Sequence, residues 1–171
     1  MDAAQFTLGI LSNLEETLTR ALDGLTPEEL SYQPDKESNS IGFILWHQIR
    51  AEDMMIIVTL MGKPEEWGKG KWATRMGFEA DFNDSGWGYT AEQLSSFAVP
   101  KLEEIMSYGK AVRAETEKYI AGLSPEDFDE IKTTMFGEMP VSTILTMLIG
   151  ELALHTGHIT YIRGLQRGLD K

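Results

Sequence analysis

The chain has 171 residues, 42% of them hydrophobic, which suits one domain with one packed core and excludes a disordered chain. Its formal net charge of −12 repels phosphate backbones and excludes nucleic acid as an expected partner. The absence of cysteine excludes disulfides, thiolate metal sites and cysteine nucleophiles, and fits a cytoplasmic protein. The N-terminus, Met1-Asp2-Ala3-Ala4-Gln5, has no basic segment followed by an apolar one, so no signal peptide is expected. No apolar run reaches about 18 residues, so no membrane span is expected either.

Apolar periodicity predicts four long helices. The first covers about Ala3 to Leu22, with Phe6, Ile10, Leu11, Leu14, Leu18 and Leu22 on one face. The second follows Asn39-Ser40, either of which can cap it, and runs from Ile41 to about Met61. Its seam is Phe43, His47, Arg50, Met54, Ile57 and Met61. The next segment, Gly62 to Tyr89, holds six glycines and three of the four tryptophans, Trp67, Trp72 and Trp87. A connection this long is a packed cover, a wall over a pocket, or part of a subunit contact. The third helix opens at Thr90, where Thr90 and Gln93 form a capping box, and runs to about Ala121 with a kink or a break expected near Val99, before Pro100. The fourth runs from near Pro140 to about Arg167. No stretch alternates convincingly with period two, so the expected fold class is all-α.

A seven-residue element recurs. Gly24-Leu25-Thr26-Pro27-Glu28-Glu29-Leu30 resembles Gly122-Leu123-Ser124-Pro125-Glu126-Asp127-Phe128. In each, Gly ends a helix, Thr or Ser caps a short turn, and Pro and acids favour its first positions. Each copy precedes a histidine-bearing helix, which suggests two similar halves.

The chemistry lies in those two helices. The fourth has a seam of Ile144, Leu148, Glu151, His155, His158, Ile162 and Leu165, spaced alternately by four and three. Glu151 and His155 lie about 40° apart around the helix, and His158 within about 60° of them. A buried polar group without a partner costs roughly 1–3 kcal/mol or more, so three in one stripe need partners, and a divalent cation is one. If the second and fourth helices touch, His47 points at Glu151 and His155. Two imidazoles and one carboxylate then make a facial triad that suits Ni, Zn, Fe or Mn and leaves positions for water or substrate. Two other readings stand beside it: His47 as a hydrogen-bonded core residue, and Glu151 as the ion-pair partner of Arg50. His158 fits an outer role, orienting a ligand, better than that of a water partner or fourth ligand. The methionines read as packing. No serine sits in a nucleophile elbow, and Gly68-Lys69-Gly70-Lys71 does not follow a strand as a phosphate loop would.

The assembled residues resemble a known family. Leu25-Thr26-Pro27-Glu28-Glu29-Leu30, Pro34 and the run Asn39 to Asp53 are similar to the first half of DinB-like (YfiT-type) metalloenzymes, and Glu151 to Leu165 is similar to their closing helix. The resemblance spans nearly the whole chain apart from the Trp-rich segment. It implies that residues 1–171 form one DinB-like four-helix-bundle domain with up-up-down-down connections, and a homodimer. It also implies a divalent metal held by a His on the second helix and a His-x-x-x-His pair on the fourth. By position these are His47, residue 151 and His155, with Glu151 standing where the family has histidine. Gly157-His158 replaces the family's Gly-Gln. Relatives of this kind are transferases or isomerases that use a low-molecular-weight thiol, with a small electrophile as second substrate. The alternative class is a non-catalytic bundle that uses its pocket for ligand binding or dimerisation and keeps a vestigial metal site.

Overall fold

Short polar residues start the helices where the sequence places them. Asp2 caps α1 (Ala3–Leu22) in a capping box with Gln5, and Thr26 caps α2 (Pro27–Ser31) in another with Glu29. Of the two candidates for the next cap it is Ser40 that accepts from the Phe43 amide and starts α3 (Ile41–Glu52). The computed structural model describes residues 2–78 and 84–168. From Asp53 to Leu60 the helix continues in π form, then stops at Met61 and Gly62. Two short helices follow, α4 (Glu66–Lys69) and α5 (Trp72–Met76). Thr90 and Gln93 cap α6 (Ala91–Ser96), and the break expected near Val99 separates it from α7 (Leu102–Ala121). A 3₁₀ turn at Pro125–Asp129, capped by Ser124 and Asp127, corresponds to α2 in the repeat. The last long helix is α8 (Val141–Arg167).

The long elements are all helices, as an all-α fold requires. The helix α1 packs on α7 and α8, and α3 packs on the same two. One core cluster gathers Phe43, Trp46, Ile49, Ile105, Tyr108 and Ile159, and another gathers Leu11, Ile56, Ile120, Ile144, Leu148 and Leu152. Between α3 and α7, Arg113 donates to both carboxylate oxygens of the buried Glu52, at 2.9 and 2.8 Å.

Three expectations need correction. A two-stranded antiparallel hairpin, β1 (Ile131–Thr134) and β2 (Gly137–Pro140), leads into α8, with Ile131 opposite Pro140 and Thr134 opposite Gly137. Strands of four residues are too short to print a period-two signal, and Met135-Phe136 is not a common turn pair. The first helix is rotated from its expected face: Phe6 is exposed, and Ala4, Thr7, Leu11 and Ala21 are buried. The buried stripe of α8 is also rotated, running through Ile144, Leu148, Leu152, Thr156 and Ile159. Glu151 and His155 lie at its edge, while His158 and Leu165 are exposed. A wide apolar face admits more than one seam at helical spacing, and only the neighbours decide which is buried.

The tryptophan-rich segment is both cover and wall. Trp67 and Trp72 are buried in the core against Tyr108, with ring centroids 5.2 and 5.7 Å from it. Trp87 is 68% exposed and stands beside a cavity. Residues 79–83 of this segment lie outside the described residues.

Candidate metal centre

Because α3 packs on α8, His47 meets the turn of α8 that carries Glu151 and His155. Glu151 Oε1 lies 2.9 Å from His155 Nε2 and 3.3 Å from His47 Nε2. The two imidazole rings stand edge to face at 5.1 Å. One ligand atom from each of the three residues falls within 4.8 Å of the others. The two histidines are mostly buried and Glu151 is about one-third exposed.

The hydrogen bonds orient the cluster. His47 Nδ1 is 2.5 Å from the Ser85 carbonyl oxygen. A carbonyl only accepts, so Nδ1 carries the proton and Nε2 is turned toward Glu151. Phe43 stacks nearly parallel to the His47 ring at 6.0 Å and limits its rotation. On the other side, His158 Nδ1 lies 3.4 Å from His155 Nδ1. Hydrogen bonds from His155, then from His47, hold the Glu151 carboxyl far below the usual carboxylate range, so it is ionised at neutral pH. Burial pulls the His47 pKa down, but the Glu151 hydrogen bond and the Ser85 carbonyl outweigh it and leave that pKa raised.

Arg50, three residues after His47, is fully buried in a neighbouring network. It donates to Glu65 at 2.5 Å, to Tyr108 at 3.3 Å and, through Nε, to the Asp84 carbonyl at 3.0 Å. Its guanidinium also stacks 4.9 Å above the Trp67 ring. These contacts place Arg50 behind the strap 84–89 that supplies the Ser85 carbonyl. Asp84 accepts from the Gly86 amide at 3.0 Å and from the Tyr89 hydroxyl at 2.6 Å. Gly86 has φ +78°, and a Cβ there would stand 2.7 Å from Phe43 and 2.8 Å from Trp46. Only glycine fits that turn.

A cavity of about 500 Å³ opens onto His47 and Glu151. Glu65, Ser85 and Trp87 line one part of it, and the hairpin tip Thr134-Met135-Phe136 another. The rings of Trp87 and Phe136 meet edge to face at 6.0 Å. Sequence reasoning missed Ser85, because a backbone carbonyl leaves no residue-type signature. It missed the hairpin tip because the strands were not foreseen. Glu65 carried no signal beyond its place beside the tryptophans.

The donor set suits a divalent cation. Two imidazoles and a carboxylate with their atoms turned toward one point form a ligand group open on one side. His47 has the outer-sphere carbonyl that metal-binding histidines usually have. Separations of 2.9 and 3.3 Å match those of neighbouring ligand atoms about 2.0–2.2 Å from one ion.

Among known proteins, the model described as the DinB superfamily matches residues 10–159. A crystal structure of a conserved protein of a locus from Enterococcus faecalis superimposes with a TM-score of 0.84. It is 21% identical and covers 96% of this chain and 97% of its own, a likeness that establishes the fold. No curated protein matches. Among the described residues, no helix is long and apolar enough to cross a membrane.

Proposed function

The chain belongs to the DinB superfamily, and on that premise we propose that it holds a divalent cation through His47, Glu151 and His155. We infer that it acts as a transferase or isomerase dependent on a low-molecular-weight thiol. The observation that carries this reading is the convergence of three ligand atoms within 4.8 Å at a cavity large enough for a small molecule. When bound, Ni, Zn, Fe or Mn would supply the Lewis acidity that lowers the pKa of a thiol. The chain's own residues prepare the site. Ser85 fixes the His47 ring so that Nε2 faces inward. Glu151 brings one negative charge, which the three-histidine arrangement lacks, and so tempers that acidity. His158 orients His155 from outside, and Arg50 acts only through the strap. A single domain over 1–171, an up-up-down-down four-helix bundle and a homodimer belong to the same reading.

A second reading has an observation of its own. Glu151 lies within hydrogen-bond reach of both histidines, so with His47 protonated on both ring nitrogens the cluster is self-satisfied without a cation. In that case the protein is a non-catalytic bundle with a ligand pocket. Metal analysis of protein purified without a histidine tag separates the two. A stoichiometric metal lost in His47→Ala, with metal-dependent consumption of a thiol in the presence of an electrophile, is the expected result. A metal-free protein that gains no thermal stability from any of the four cations sinks the first reading.

A further inference from the structure

The cavity beside the cluster has a composition that the metal reading does not require. Five of the chain's nine methionines line it: Met54, Met55, Met135, Met139 and Met147. Phe136 and Trp87 stand at its edge, 56% and 68% exposed, although large apolar side chains usually hide from water. Met135 is 74% exposed and Met147 39%. The charged groups facing it are His47 and the carboxylates Glu65 and Glu151, and no Lys or Arg is among its described lining residues. With a net charge of −12 around it and no Lys or Arg on its described lining, the metal-free cavity disfavours an anionic ligand.

We infer that this cavity binds a small molecule with a neutral, apolar body, an alkyl chain or aryl ring, seated among the methionines with its one polar head toward His47 and Glu151. Methionine side chains are unbranched and polarisable, so they adapt to a ligand without a fixed ring shape. A volume of about 500 Å³ lies within the range of small-molecule sites and is too small for a folded partner's helix. Continuity with the histidine cluster sets the orientation, because His47 and Glu151 line the cavity together with the methionines and offer a polar head its hydrogen-bond partners. The inference rests on the metal reading only for what the polar head would meet. In the metal-free protein it disfavours phosphorylated and polycarboxylate ligands.

The test uses the full-length protein labelled with ¹³C at the methionine methyls and stripped with chelator. Titration with 1-hexanol is expected to shift the cavity methyls saturably and to leave Met76 and Met106, which lie elsewhere, in place. From 1-butanol to 1-hexanol, affinity should rise roughly fourfold per methylene. Hexanoate should bind at least tenfold more weakly than 1-hexanol. Met147→Glu, at a partly exposed helix position that tolerates a charge, should lower 1-hexanol affinity tenfold or more. Uniform shifts at all methionines, a flat chain-length series, or equal binding of hexanoate would overturn the inference. So would cavity methyls that move on protein dilution and ignore 1-hexanol, because a second copy would then cover the mouth. Zn²⁺ binding is measured separately by calorimetry. A protein that takes 1-hexanol but no Zn²⁺ refutes the metal reading alone, and one that takes Zn²⁺ but no 1-hexanol refutes the apolar one alone.

Discussion

Two polar clusters grow from the same helix within one turn, and they differ in what completes them. Around Arg50 the groups are enclosed except for Glu65, which reaches the cavity: Arg50 and Asp53 are both fully buried, Tyr108 donates to Asp53 at 2.6 Å, and the amides of Glu66 and Trp67 donate to Asp53 at 3.0 and 2.9 Å. Burial still pushes the Asp53 carboxyl up, and burial with Asp53 pushes the Tyr108 hydroxyl well up. Around His47 the groups stand within 2.9–3.3 Å of Glu151, and the cluster opens on a cavity. A polar cluster completed by protein donors holds a fold together. One that opens on a cavity can also meet a ligand.

Breaking the enclosed cluster should cost most. Arg50→Met removes the buried cation that faces Asp53 and Glu65 and loosens the strap, so a loss of about 3–5 kcal/mol is expected. In a chain of this length that lowers the thermal midpoint by on the order of 10 °C. A midpoint within two degrees of wild type would contradict the structural role. Gly86→Ala tests the link between the clusters. Its positive φ and the rings of Phe43 and Trp46 resist a methyl, so a loss of roughly 1–3 kcal/mol is expected. The displaced Ser85 carbonyl should also weaken metal binding by about 10–100-fold, read by calorimetry.

The open cluster should respond in the opposite sense. Glu151→Leu should change the metal-free melt by no more than about 1 kcal/mol, because the carboxylate lies at the edge of the stripe and is partly exposed. The same variant should lose metal that the wild type retains, while Glu151→His should keep the fold and hold metal more tightly. A Glu151→Leu protein that retains metal as well as wild type would remove Glu151 from the ligand set. The smallest effect belongs to the surface. Arg167 donates to both carboxylate oxygens of Glu29 at 2.6 Å, and those bonds, with the Thr26 amide, lower the Glu29 pKa from 4.5 to about 2. A depressed carboxylate pKa stabilises the folded state above the unfolded value. That contribution should fade as pH falls from about 4.5 toward 2. Glu29→Gln should lose it at neutral pH, seen as a flatter acid limb in melts between those values. An unchanged acid limb would place the pair among ion pairs with no net effect.

Much of this was legible in the chain because it is local. Caps at Thr26, Ser40 and Thr90 act over three residues, so those helix starts could be read from residue types alone. The break before α7 follows from Pro100, which lacks an amide proton. His47, Glu151 and His155 stood out because polar residues recur at helical spacing among apolar ones. What the chain does not carry locally is which edge of a wide apolar face turns inward. That depended on how α3 and α7 pack against α8 and α1, and it moved Glu151 and His155 from the centre of a stripe to its margin. The same non-local packing brought the Ser85 carbonyl 38 positions along the chain to His47, and placed a short hairpin tip against Trp87. Spacing along a helix is set by its own geometry, whereas a carbonyl's partner and a cavity's walls exist only once distant segments have met.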